Sequence, residues 1–190
     1  LLVLSGAGTG KTRVLTSRFV YIVKNLKFDF NRIIAVTFTN KAANEIKERV
    51  KKALDQNIES PWIGTFHSIF AKFLRKHAHH VGLKSNFNIL DSEDQKKLIK
   101  QVLEYCKIDK EVSESIYLNE IQNLKDEKIF PQDKSKILKY SSLENIDEIY
   151  NLYQQRLIEI NAVDFGDILL HSYLILTTHK DIQETHSNFI

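Results

Sequence analysis

The chain opens on Leu1-Leu2-Val3-Leu4-Ser5-Gly6-Ala7-Gly8-Thr9-Gly10-Lys11-Thr12, four apolar residues running into a glycine-rich turn that closes on Gly-Lys-Thr. The last eight residues fit the phosphate-cradling pattern G-x-x-x-x-G-K-[ST], except that Ser5 stands where the first glycine is expected. Glycines let the backbone wrap an anion, so that successive amides and the following helix N-terminus point at negative charge. Lys11 reaches the β- and γ-phosphates of a nucleotide, and the Thr12 hydroxyl is a ligand for Mg²⁺. An apolar strand enters the loop and an amphipathic helix leaves it, the context that separates this loop from a glycine-rich turn. Ser5, Gly6, Ala7, Gly8, Thr9, Gly10, Lys11 and Thr12 therefore read as nucleotide-binding residues, with Lys11 and Thr12 in the chemistry. Arg13 either lies along the nucleotide or is a solvated residue of the helix face.

After the loop, Leu15, Phe19, Ile22, Val23 and Leu26 recur at helical spacing. Ile33-Ile34-Ala35-Val36-Thr37-Phe38 reads as a second buried strand. Asn40 is placed to cap a helix whose inward stripe is Ala43, Ile46, Val50 and Leu54. Trp62-Ile63-Gly64-Thr65-Phe66 reads as a third strand. Strands alternating with helices imply parallel pairing, hence an α/β domain. From about Ile69 the period becomes 3.6. Ser92 and Gln95 fit a capping box, Leu98, Ile99, Val102, Leu103 and Cys106 form a stripe, and Ile116, Leu118, Ile121 and Leu124 suggest a further helix. A longer helix carries Ile146, Ile149, Tyr150, Tyr153, Leu157 and Ile160, and Asp164 is placed to cap the next, through Leu176.

Open α/β sheets bind ligands at the carboxyl ends of their strands. Two segments fall there: Phe38-Thr39-Asn40-Lys41 after the second strand and Thr65-Phe66-His67 after the third. Each sets an aromatic ring among hydroxyl, amide or imidazole groups, which suits single-stranded nucleic acid. Taken singly, packing in the core is the commoner role for Phe38 or Phe66. Their recurrence at one sheet edge, in a basic stretch, favours the nucleic-acid reading. Residues 1–84 carry 15 basic and 5 acidic residues, whereas 85–190 carry 12 and 19, so the net +3 conceals opposite halves. With one cysteine, Cys106, disulfide frameworks and zinc ribbons are excluded, and a reducing cytoplasm is expected. No apolar run approaches the ~18 residues of a membrane span. The absence of methionine points to a fragment of a longer protein. His77, His79 and His80 lack partner ligands at metal-binding spacing, Trp62 reads as a packing residue, and Lys125-Asp126-Glu127-Lys128 as a solvated loop.

The strings LLVLSGAGTGKTRVL, AVTFTNKAANEIKERV, GTFHS, FNILDSEDQ and VDFGDILL, in this order and spacing, resemble the UvrD/Rep/PcrA-type DNA helicases of superfamily 1. The resemblance implies a P-loop, RecA-like motor domain at residues 1–67, incomplete in this chain, with an all-α subdomain inserted at 68–187 and a return to the motor at 188–190. It implies ATP and Mg²⁺ as cofactors, with Arg13 flanking the adenine. It implies contacts from Phe38, Thr39, Asn40, Lys41, Thr65, Phe66 and His67 to single-stranded DNA and to junctions with duplex. The parent activity would be ATP-driven 3′-to-5′ translocation and unwinding in DNA repair and replication. Asp164, Phe165 and Asp167 match a segment of the insertion without a defined role. The family's adenine-reading glutamine and its Mg²⁺-holding Asp-Glu pair at a strand end are not in this sequence, so the isolated chain is expected to be inactive. The rival readings are a P-loop phosphotransferase and a noncatalytic, nucleotide-sensing DNA-binding module.

Overall fold

A computed structural model describes residues 10–55, 62–108 and 113–187. The expected first strand, with Ser5, Gly6, Ala7, Gly8 and Thr9 of the loop, lies outside the described residues, as do residues 188–190. Backbone contacts divide the chain into two compact units, Leu1–Lys72 with Lys180–Ile190, and Phe73–His179.

The first unit holds α1 (Lys11–Lys24), β1 (Ala35–Thr37), α2 (Asn40–Leu54), β2 (Ile63–Thr65), the start of α3 (Phe66–His77) and, later in the chain, α9 (Lys180–Ser187). β1 and β2 pair in parallel, with Ala35 opposite Ile63 and Thr37 opposite Thr65. Phe19 and Ile22 of α1 and Ile46, Val50 and Leu54 of α2 meet Ile33, Ala35 and Ile63 in one core. The expected apolar face of α1 is narrower than its periodicity suggested, because Leu15 and Leu26 are exposed. Both strands are also shorter. Thr39, rather than Asn40, is the N-cap of α2: its hydroxyl accepts a hydrogen bond from the Ala42 amide at 3.2 Å. That turn takes Phe38 and Thr39 off the ladder. Phe66 begins α3 instead of ending β2. Gly64 permits this abrupt strand-to-helix step, since a β-carbon there would meet the Ser68 hydroxyl at 2.3 Å.

The second unit contains β3 (Asn88–Ile89), α4 (Ser92–Tyr105), α5 (Glu114–Asp126), α6 (Lys134–Tyr140), α7 (Ile146–Glu159), β4 (Ala162–Val163) and α8 (Phe165–Thr178). Its core joins Ile99 and Val102 of α4 to Tyr117, Ile121 and Leu124 of α5 and to Ile149, Tyr150, Tyr153 and Leu157 of α7. Asp91, not Ser92, caps α4, accepting from the amides of Glu93 and Asp94 at 2.9 Å each. Cys106 falls at the C-cap of α4, half-buried against the core. β3 and β4 form a two-residue parallel pair that no period-two run announces.

Candidate nucleotide and nucleic-acid site

Thr37 and Thr65 are register partners, so Phe38 and Phe66 each stand one residue beyond a paired position, on the same edge of the sheet. Phe38 is 96% exposed and Phe66 51% exposed. An apolar ring left almost wholly in water contributes nothing to the core; the packing reading of Phe38 does not hold. Two helices begin at this edge, α2 at Asn40 and α3 at Phe66, and neither has an acidic residue in its first turn. Their positive ends are therefore not offset locally, and Lys41 adds a charge to the first. Thr39 is held by its capping bond and by the Thr37 hydroxyl, which donates to the Thr39 carbonyl at 2.9 Å. Thr65 caps α3 in turn, accepting from the Ser68 amide at 3.3 Å while the Ser68 hydroxyl donates to its carbonyl at 2.9 Å. Asn40 and Lys41 are exposed and His67 is half-buried. Caps, ring and helix ends thus form a fixed polar edge carrying projecting aromatics.

Of the phosphate-loop residues, Gly10, Lys11, Thr12 and Arg13 are described. Gly10 is the N-cap of α1 in the left-handed conformation, φ 86°, where a β-carbon would be strained, and it supplies no side-chain cap. The first turn of α1 holds no acid. The Thr12 carbonyl accepts from the Thr16 hydroxyl at 2.8 Å, and the Thr12 hydroxyl makes no hydrogen bond among the described residues. Lys11 and Arg13 are exposed.

The second unit holds a charged cluster that its sequence disguises. Lys125 reads as part of a solvated loop, yet it is fully buried on α5, with its ammonium 2.6 Å from Asp164 Oδ2 and 2.7 Å from Asp167 Oδ1. Asp164 and Asp167 form a reciprocal capping box at the start of α8, as the cap expected at Asp164 requires. Tyr153 donates to Asp164 at 3.2 Å and Gln154 to Asp167 at 3.0 Å. Burial works against the Lys125 charge, but the two carboxylates more than offset it and hold its pKa above the ordinary value. Burial raises Asp164, assisted by the charge of Asp167; for Asp167 burial is outweighed by Lys125, and its pKa is lowered. One signal in the sequence points here. Lys125 follows Ile121 by four residues, on the inward stripe of α5.

Residues 1–190 match the family model described as the UvrD/REP helicase N-terminal domain. The chain belongs to this helicase N-terminal domain family. It is 38% identical over 185 residues to a probable DNA helicase II homolog of Mycoplasma capricolum, covering 95% of this chain and 26% of that protein. It is 37% identical over 189 residues to the ATP-dependent DNA helicase PcrA of Staphylococcus aureus, covering 99% of this chain and 26% of that protein. The PcrA of Staphylococcus epidermidis is 36% identical over the same number of residues. The chain thus spans about a quarter of the length of the curated relatives it matches. Among the described residues no helix is long and apolar enough to cross a membrane.

Proposed function

We propose that this chain supplies the nucleotide-binding and part of the single-strand-binding surface of an ATP-dependent DNA helicase. In this reading residues 1–67 are a partial RecA-like, P-loop motor domain, 68–187 an inserted helical subdomain, and 188–190 the return to the motor. The observation that carries the DNA half is the almost fully exposed ring of Phe38 at the carboxyl edge of a parallel sheet, beside Phe66 and two helix N-termini. Bases stack on exposed rings with little sequence preference, while phosphates meet helix amides and Lys41. Asn40, Thr39, Thr65 and His67 line the path between them. The similarity to an ATP-dependent DNA helicase PcrA and to a probable DNA helicase II homolog supports the same activity.

For the nucleotide, the described part of the loop fits a triphosphate with Mg²⁺. The α1 N-terminus has no acid in its first turn, Gly10 lets the backbone turn tightly, and the Thr12 hydroxyl is uncommitted among the described residues. Lys11 would neutralise the β/γ-phosphate charge and Thr12 would hold the metal, with Ser5, Gly6, Ala7, Gly8 and Thr9 completing the cradle and Arg13 beside the base. Bound Mg²⁺-ATP supplies the phosphoryl group whose hydrolysis drives the motor. The finer reading is 3′-to-5′ translocation on single strands, action at junctions, and work in repair and replication within the cytoplasm. The test is ATP hydrolysis by the full-length protein with and without oligodeoxythymidine. Strong stimulation that Lys11→Ala abolishes is expected; hydrolysis indifferent to DNA would favour a phosphotransferase.

A further inference from the structure

The second unit carries an open cleft of about 550 Å³ to which none of these roles reaches. One wall is a single face of α7, where Asp147, Asn151 and Gln155 follow one another at four-residue intervals with Glu148 beside them. Gln132 and Lys134, just before and at the start of α6, also line it, and Tyr105, 69% exposed, lies at the end of α4. From Asp147 to Gln155 the α7 face runs about 12 Å at ~1.5 Å per residue. An extended chain covers that length in about four residues at ~3.3 Å each.

The chemistry of the walls selects the occupant. The side-chain amides of Gln132, Asn151 and Gln155 make no hydrogen bond among the described residues, and each offers the donor and acceptor that a peptide backbone needs. Among the described residues the one cation of the lining, Lys134, is committed to Asp147 at 2.7 Å, and that pairing holds the Asp147 carboxyl below its ordinary pKa. Glu148 is left exposed, so the cleft is negative on balance. Phosphate backbones are repelled by such a surface. A guanidinium or ammonium is attracted by Glu148 and by the face of the Tyr105 ring. We infer that this cleft docks an extended segment, about four residues long, of a partner protein carrying Arg or Lys. The inference is independent of the motor reading, because it concerns neither the sheet edge nor the phosphate loop.

The test is fluorescence anisotropy of labelled Gly-Arg-Gly-Arg-Gly and Gly-Glu-Gly-Glu-Gly with the full-length protein in ~0.15 M salt, without nucleotide or DNA. Saturable binding of the arginine peptide alone is expected. Tyr105→Ala and Glu148→Gln should each weaken it about threefold, and the pair about tenfold. Glu93→Gln, an exposed first-turn residue of α4 outside the cleft lining, should leave it unchanged. Both lead variants alter exposed side chains, and an unchanged far-ultraviolet circular dichroism spectrum verifies their folds. Equal binding of the two peptides, or a loss in Glu93→Gln as large as in Glu148→Gln, would overturn the inference. So would a Tyr105→Ala protein that keeps the arginine peptide but loses labelled oligodeoxythymidine, which would assign the ring to nucleic acid.

Discussion

Replacing Lys125 with Met keeps most of the side-chain volume and deletes only the charge. In the native protein the ammonium, with no side-chain exposure, sits between two carboxylates at 2.6 and 2.7 Å. Four other bonds to those carboxylates survive the change. The Asp167 amide donates to Asp164 at 2.9 Å, the Asp164 amide to Asp167 at 3.1 Å, and the donors of Tyr153 and Gln154 remain. The fold is therefore expected to persist, with two buried carboxylates and, 3.8 Å from Asp167, the His171 ring, which gains a proton more readily once the Lys125 charge is gone and so narrows the deficit further on acidification. Removing one partner of a buried pair costs about 3–5 kcal/mol, a large part of the ~5–15 kcal/mol that stabilises a typical domain. Adding Asp164→Asn should recover much of this, because Asn still caps the helix and one charge remains instead of two. The sign with pH follows. The uncompensated pair must bind protons more tightly when folded than when unfolded, and a raised folded pKa gives stability that is present at low pH and lost as pH rises. The deficit relative to wild type is thus largest near pH 8 and narrows toward pH 5. Urea denaturation followed by near-ultraviolet circular dichroism reads it out, because Tyr117, Tyr150 and Tyr153 are buried in this unit. A loss below ~1 kcal/mol, or a deficit that widens on acidification, would refute the argument.

Lys11→Ala should weaken binding of a fluorescent ATP analogue about 10- to 150-fold, the worth of hydrogen bonds to a charged group; equilibrium titration checks it. Gly166→Ala should destabilise the second unit by about 1–3 kcal/mol in urea. Its new β-carbon would stand 2.8 Å from Gln122 Oε1 and 3.0 Å from Lys125 Cδ. An alanine variant as stable as the native protein would mean that the Gln122 side chain swings aside and the Lys125 stem yields without loss of its ion pairs.

The stripes Phe19–Ile22 and Ile46–Val50–Leu54 were legible because each buries one face of a helix against a parallel strand, and helical period reports just that. Strand ends were less legible. Thr39 and Asn40 are both competent caps, and the choice between them depends on where the chain leaves the ladder. The β3–β4 pair is two residues long, shorter than any alternation can signal. Exposure of Phe38 was not legible at all from one residue, since Phe is usually interior; its position one step past the Thr37–Thr65 pair gives the reason. Lys125 misled because Lys-Asp-Glu-Lys has the composition of solvent-facing chain. Its partners lie 39 and 42 residues away, at Asp164 and Asp167, a distance that local pattern does not span.

The most direct measurement is the affinity of labelled oligodeoxythymidine for the full-length protein and its Phe38→Ala variant. Stacking on an exposed ring is worth about 1–3 kcal/mol per base, so the variant should bind about 5- to 150-fold more weakly, with no dependence on base sequence. Phe38→Trp should retain binding, and nucleotide affinity should be unaffected in both. A Phe38→Ala protein that binds the oligonucleotide as tightly as the native protein would contradict the assignment of this sheet edge to single-stranded DNA.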